Sequence, residues 1–239
     1  MYLRRALGSG ALVLAAASAC TSPGVVGDAA VLTEAEARSA MLVADELPGV
    51  WEPTGVPVHR GESISDSTRS GSVCARATRR VAKEASRWST AEVGVEAAWE
   101  TPGGDVRLKQ EIVADRYLEA GDLVEFLELQ VSECKNVVIA AGDITVESRL
   151  RSCDLNGGKS GTQIVQSWTA SNGSSGSTRL AYLDRGRSLI VLTFTSVDDG
   201  DSCRDAVFDR VVAAAAAKIA RWDPPAHRWV GMSTDVISR

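Results

Sequence analysis

From Val106 to Val113 apolar and polar side chains alternate. Val106, Leu108, Gln110 and Ile112 face one way, and Arg107, Lys109, Glu111 and Val113 the other. A period of two is that of a β-strand, here with one buried and one more polar face. The run Asp105–Ala114 is preceded by another, Ala91–Thr101, and Pro102-Gly103-Gly104 between them is a hairpin signal. Four further runs read as strands: Thr145–Ser152, Ser160–Ser171, Thr178–Asp184 and Ser188–Ser196. Asn156-Gly157-Gly158, Asn172-Gly173-Ser174-Ser175-Gly176 and Arg185-Gly186 separate them. Leu189–Phe194 is apolar throughout, which places the last strand in the sheet centre with both faces covered. Val137–Ala141 is apolar but too short for either period to show. Residues 52–70, with Pro53, Gly55, Pro57 and Gly61, read as a loop with at most one short strand around Val56–His59.

Elsewhere the period shifts towards 3.6. Thr33-Glu34-Ala35-Glu36 is a capping box, followed by Ala37, Ala40, Met41, Ala44 and Leu47 on one helical face, with Leu47-Pro48-Gly49 as the stop. Trp51 is expected to pack under that turn. Residues 73–86 predict a helix with Cys74, Ala77, Val81 and Ala85 inward and Arg76, Arg79, Arg80 and Lys83 opposite, a solvated basic face. Glu119–Lys135 carries the stripe Leu123, Phe126, Leu127, Val131 and Cys134. Ser202 and Asp205 form a second capping box, opening a helix to about Ala220 that buries Phe208, Val211, Val212, Ala215 and Ile219. No repeat with a period of 20–50 residues is present, which excludes a solenoid. The expected fold is α+β: a largely antiparallel sheet of about five to six strands with three to four helices, in a single disulfide-stapled domain.

The N-terminus changes the setting. Arg4 and Arg5 precede the apolar run Ala11–Ala17, and Ala17-Ser18-Ala19 leads into Cys20. A charged start, a short apolar run and a small-residue cleavage site make an export signal, and the run is too short to span a bilayer, which takes about 20 residues. The segment resembles a bacterial lipobox, in which the cysteine becomes the lipid-modified first residue of the mature chain, carrying diacylglycerol and palmitate. The alternative is an Ala-x-Ala signal cut at Ala19 that leaves a free thiol. The organisation read from this is a signal over 1–19, a tether over 20–31, a domain over 32–222 and a loose tail over 223–239. The expected location is the extracytoplasmic face of the cell membrane, held there by the lipid on Cys20.

Two arginines leave with the signal, so 26 basic residues become 24 against 31 acidic ones, net −7. That balance argues against nucleic-acid partners, and against anionic-membrane binding as the main business. Cys74, Cys134, Cys153 and Cys203 remain, with no Cys-x-x-Cys pair, and in an exported chain an even set reads as two disulfides. Three pairings satisfy the spacing. Zinc needs clustered ligands, and the only histidines are His59 and His227. Those two lie in a loop and in the tail, which is poor ground for a Ser-His-Asp site, and no Gly-x-Ser-x-Gly elbow occurs. Ser70-Gly71-Ser72 and Gly173-Ser174-Ser175-Gly176 are turn chemistry. Asp198-Asp199-Gly200-Asp201 looks like a fragment of a calcium loop without its later ligands and reads as a solvated turn before a helix. Asp198 and Asp201 are the carboxylates on which a hydrolase would have to rely. No cofactor or metal is expected.

Met41-Leu42-Val43-Ala44-Asp45-Glu46-Leu47-Pro48-Gly49-Val50-Trp51 is similar to the start of actinobacterial cell-surface lipoproteins. These resemble the extracellular sensor domain of PknH-type serine/threonine kinases. Gln110-Glu111-Ile112-Val113-Ala114, followed by a helix ending in Cys134, is similar to that family's central strand and helix. The resemblance implies an antiparallel sheet with helices, the pairs Cys74–Cys134 and Cys153–Cys203, and a ligand-sensing cleft. It supplies no catalytic residues. The expected function is a sensor-like or ligand-binding lipoprotein without catalysis, its partner an unknown small molecule, glycan, lipid or protein. The groove is expected to draw on loops 52–70 and 172–176. The alternatives are a cell-envelope hydrolase using carboxylates, or a scaffold lipoprotein that docks through Trp222 and Trp229.

Overall fold

A computed structural model describes residues 31–55, 72–141, 144–155, 160–197, 200 and 202–222. The signal, all but the last residue of the tether, most of the 52–70 loop and the tail lie outside these residues. So do Cys20, His59, His227, Trp229, Asp198 and Asp201.

The described residues form one eight-stranded antiparallel sheet and four α-helices. The strands are β1 (Glu52–Thr54), β2 (Val93–Glu100), β3 (Val106–Ala114), β4 (Asn136–Ala141), β5 (Ile144–Cys153), β6 (Gly161–Ala170), β7 (Ser175–Arg185) and β8 (Ser188–Ser196). The helices are α1 (Glu34–Ala40), α2 (Ser72–Trp88), α3 (Ala120–Glu133) and α4 (Ala206–Ile219). The sheet order is β1-β2-β3-β8-β7-β6-β5-β4. Eight strands exceed the five to six expected, and the difference lies at the two edges. β1 is three residues long and contains Pro53, and β4 is a six-residue apolar run. An edge strand pairs on one side only and need not alternate, so neither announces itself in sequence.

The order follows from one crossover. β1, β2 and β3 are laid down side by side, then α3 carries the chain across the sheet to its far edge. β4 to β8 meander back until β8 pairs with β3, with Gln110 opposite Leu192 and Ile112 opposite Ile190. Fourteen helical residues span about 21 Å, close to the breadth of the four strands crossed at about 4.8 Å each. β8 thus ends in the centre, as its unbroken apolar run requires.

Two cores result. On one face α1 and α4 pack Ala37, Ala40, Phe208, Val212 and Ile219 over Leu108, Ile112, Ile190 and Leu192. Trp51 lies against Phe194, which lies against Phe208, with ring centroids 6.3 and 5.4 Å apart. Trp51 Nε1 donates to the Pro48 carbonyl at 3.2 Å, so the indole does pack under that turn. On the other face α2 and α3 cover Val113, Ile164 and Leu189 with Trp88, Leu123, Leu127 and Val131.

The capping box at Thr33 and Glu36 forms, but α1 stops at Ala40 rather than running to Leu47. Gln110, fully buried in β3, accepts the Leu42 amide at 2.8 Å, and Met41 is already extended. A polar side chain beneath the helix has captured the amide that would have continued it. Only a short 3₁₀ turn over Ala44–Glu46 follows, tied to α4 by Lys218 Nζ and Glu46 at 2.6 Å. In α2 the inward stripe is Cys74, Ala77, Val81, Glu84 and Trp88, and Ala85 is exposed. The helix runs two residues further than expected, because Trp88 extends the stripe and the half-exposed Arg87 holds the buried Glu84 at 2.9 Å.

The second capping box does not form. Asp205 itself is the N-cap, accepting the Val207 and Phe208 amides at 2.9 Å each, while Ser202 Oγ accepts from Arg204 N in a local turn. Gly200 and residues 202–204 are held against the sheet. Arg179 in β7, 3% exposed, reaches the Gly200 and Ser202 carbonyls at 3.2 and 3.3 Å and lies 3.7 Å from Asp205. Gln163 Nε2 donates to the Cys203 carbonyl at 3.3 Å.

Asp205 therefore has two roles, which substitution separates. Asp205→Asn keeps an N-cap acceptor and loses the charge facing Arg179, whereas Asp205→Ala loses both. We expect urea unfolding to place Asp205→Ala about 2–3 kcal/mol below the parent and Asp205→Asn about 1 kcal/mol below it. An Asp205→Asn variant as stable as the parent would show that carbonyl oxygens alone satisfy Arg179.

Candidate functional site: an uncovered face of the sheet

Directly paired residues in an antiparallel sheet share a face, so the registers show what each helix covers. On the α1/α4 face the helices lie over β2, β3, β8 and part of β7. Farther along, residues 202–204 come down on Gln163 and Cys153, which are buried, and the face is open over the remainder of β6, β5 and β4. Its rows there are Asn136–Arg149–Ser167 and Val138–Glu147–Thr169. Both line a cavity of about 550 Å³, whose other lining residues are Val137, Ser148 and Trp168. These three form the intervening row and belong to the opposite face, so the cavity floor is their backbone. Ser148, 2% exposed, accepts from Gln166 Nε2 at 3.0 Å on that far side.

A second cavity, also about 550 Å³, adjoins the first at Asn136 and Arg149. β4 begins at Asn136, opposite Arg149, so Leu150–Cys153 of β5 has no strand outside it. The end of α3 lies there instead, and Leu150 N donates to the Lys135 carbonyl at 2.9 Å. The lining includes Glu128, Ser132 and Lys135 from the α3 side and Arg151 and Ser152 from β5. The cleft therefore runs from the open face round the sheet edge to a helix. It offers a guanidinium at Arg149, an ammonium at Lys135 and carboxylates at Glu128 and Glu147.

Two disulfides frame it. Cys74–Cys134 ties the start of α2 to the end of α3, where the chain enters β4, with Cα atoms 5.0 Å apart. Cys153–Cys203 ties the end of β5 to the segment before α4, Cα atoms 5.7 Å apart. The four cysteines predicted as a disulfide set are thus placed in two pairs, one beside Lys135 and one beside Ser152 of the second cavity.

Other predicted groups fall elsewhere. Gly173 takes the left-handed conformation in the β6–β7 turn, where Asn172 Oδ1 accepts the Ser174 amide at 3.0 Å, so this stretch is turn chemistry. The turn contributes nothing to the lining of either cavity, contrary to the expectation for 172–176: the lining comes from strands and from α3, and the other expected loop, 52–70, falls mostly outside the described residues. Arg76, Arg79, Arg80 and Lys83 are exposed on α2, away from the cleft. Among the described residues there is no group of three His, Cys, Asp or Glu side chains placed to hold a metal ion. The four described cysteines are all in disulfides. Burial pushes the Tyr182 hydroxyl up to about 12, with the Glu111 charge adding to the shift, so this phenol stays protonated at neutral pH.

The strand pattern of Thr145–Ser152 alone does not single out the cleft residues. The signal was there: Glu147, Arg149 and Arg151 recur with a period of two, which puts three charges on one face and marks that face as uncovered.

Beneath the floor, Trp168 lies over its cross-strand partner Gly176. A Cβ at Gly176 would come within 2.7 Å of both the Ser196 carbonyl and the indole. The carbonyl belongs to a ladder and cannot yield. We expect Gly176→Ala to cost about 2–3 kcal/mol in urea unfolding, as overpacking does, with a shift in tryptophan emission. Unchanged stability would mean that the floor is less tightly built than the registers imply.

No protein family's sequence model matches the chain, nor does any curated protein. Solved structures similar to it include the following two. One is the extracellular domain of PknH from Mycobacterium tuberculosis, 12% identical with a TM-score of 0.49, covering 80% of this chain and 97% of that one. The other is an uncharacterized protein (Rv0999 ortholog) from Mycobacterium smegmatis, 13% identical with a TM-score of 0.36, covering 81% and 98%. The first is a domain of the kind that the sequence resemblance names.

Proposed function

We propose that this chain is a lipid-anchored domain on the extracytoplasmic face of the cell membrane that binds a ligand in the β4–β6 cleft and performs no chemistry. The observation that carries this reading is the cleft itself. A sheet face covered elsewhere by helices is left open over three strands, and its exposed rows carry charged and hydroxyl side chains. Strands give such groups fixed spacing, which suits recognition. The two disulfides fit an oxidising compartment outside the cytoplasm. No helix among the described residues is long and apolar enough to cross a membrane; in this reading the attachment point is Cys20, which follows the export signal. Signalling, in a sensor-like role, passes through a partner protein.

Anchoring and binding are tested separately. Mass spectrometry of membrane-extracted chain is expected to find diacylglycerol on Cys20, and Cys20→Ala is expected in the medium; an unmodified thiol in the mature protein refutes the anchor. For binding, the purified chain is screened against envelope glycans, peptides and lipids, recording thermal shift and turnover together. A shift that Arg149→Ala abolishes, without turnover, is the expected result. Because Arg149 is exposed, its loss should change stability by less than about 0.5 kcal/mol. Turnover that vanishes on Glu147→Gln or Glu128→Gln would replace binding by carboxylate catalysis.

A further inference from the structure

α2 separates its charges sharply. Val73, Arg76, Arg80, Lys83 and Arg87 follow one another at steps of three and four, with Arg79 beside them. At about 100° per residue the five cations fall within about 100° of the helix circumference. All five are exposed. Only Arg87 has an ion-pair partner, Glu84; among the described residues Arg76, Arg79, Arg80 and Lys83 make none. Elsewhere cations are commonly paired. Lys109 lies between Glu96 and Glu111, Arg107 faces Glu100, Arg116 faces Glu92, Arg38 faces Glu34 and Lys218 faces Glu46. A net charge is a sum and does not say where the charge lies. In this chain acidic residues are spread through the fold and partly neutralised, while one helix presents a bare cationic ridge.

We infer that this ridge rests on a surface of anionic phospholipid headgroups. The shape favours a plane over a small ligand: the stripe is convex, runs about 21 Å from Val73 to Arg87 along a helix of 17 residues, and none of its cations lines a cavity described above. Val73, 44% exposed, stands at the head of the stripe, where an apolar side chain can enter the headgroup layer. The inference does not depend on lipidation of Cys20 or on the cleft.

The test uses the full chain carrying Cys20→Ser, so that no acyl group contributes, sedimented with vesicles of equal phosphatidylglycerol and phosphatidylcholine or of phosphatidylcholine alone. Binding is expected to the anionic vesicles only and to disappear at high salt, where screening shortens the reach of the field. Each neutralised cation should weaken partitioning about fivefold, so Arg79→Gln/Arg80→Gln/Lys83→Gln should lose about a hundredfold at unchanged melting temperature. The control Arg38→Gln/Arg107→Gln/Arg116→Gln changes net charge equally on other surfaces and should bind like the parent. The inference fails if no anionic vesicles are bound, if the control loses as much as the α2 variant, or if soluble dextran sulfate binds through α2 while vesicles do not.

Discussion

A guanidinium buried among apolar strands constrains much of this fold. Arg179 shares a cross-strand row with Phe194 and Val165, and a charge in that position is tolerable only if polar atoms surround it. Ser177 supplies one, at 3.1 Å. The others, the carbonyls of Gly200 and Ser202, come from a segment that would otherwise be free to wander. Satisfying Arg179 draws segment 200–204 down onto the sheet, which puts Asp205 where it can cap α4 and Cys203 where it can reach Cys153. Gly200 shows how close the approach is. A Cβ there would stand 2.8 Å from the guanidinium, so a side chain at this position would push the carbonyl away from the charge it serves.

The crossover of α3 is the second constraint, and it creates the cleft. A helix that must travel from β3 to the far edge arrives there with its own end at the sheet margin. β4 can start only where the helix stops. The outer half of β5 is therefore flanked by helix rather than strand, and the groove at Lys135, Arg149 and Ser152 is what remains between them. Cys134, at the C-cap of α3, fixes this junction to α2.

Much of this was legible in the chain. Strands β2, β3 and β5 to β7 follow the period of two, and the central place of β8 follows from the run Leu189–Phe194 alone. The stripes of α3 and α4 were readable because their apolar residues face a core with little competition from polar ones. What escaped notice turned on single long-range contacts. Nothing near Leu42 says that Gln110, in another element, will take its amide and end α1. Nothing near Ser202 says that Arg179 will hold its carbonyl and delay α4 to Ala206. Local capping signals name the residues able to cap, and tertiary partners decide which of them does. The edge strands escaped for a different reason: with one neighbour each, they carry half the pattern of an interior strand.

The open face is itself a consequence of composition. α1 and α4 cover the first half of their face because Leu108, Ile112, Ile190, Leu192 and Ala181 give them something apolar to pack on. At β5 the corresponding positions are Glu147, Arg149 and Arg151, and at β4 they begin with Asn136. No helix can bury such a row without stranding charges, so the helical layer ends where the charges begin. Had those positions been Val or Leu, a bare sheet face would invite nonspecific association; with Glu and Arg it stays solvated. The same residues that exclude a covering helix thereby leave charged and hydrogen-bonding groups exposed at the spacing of a β-strand.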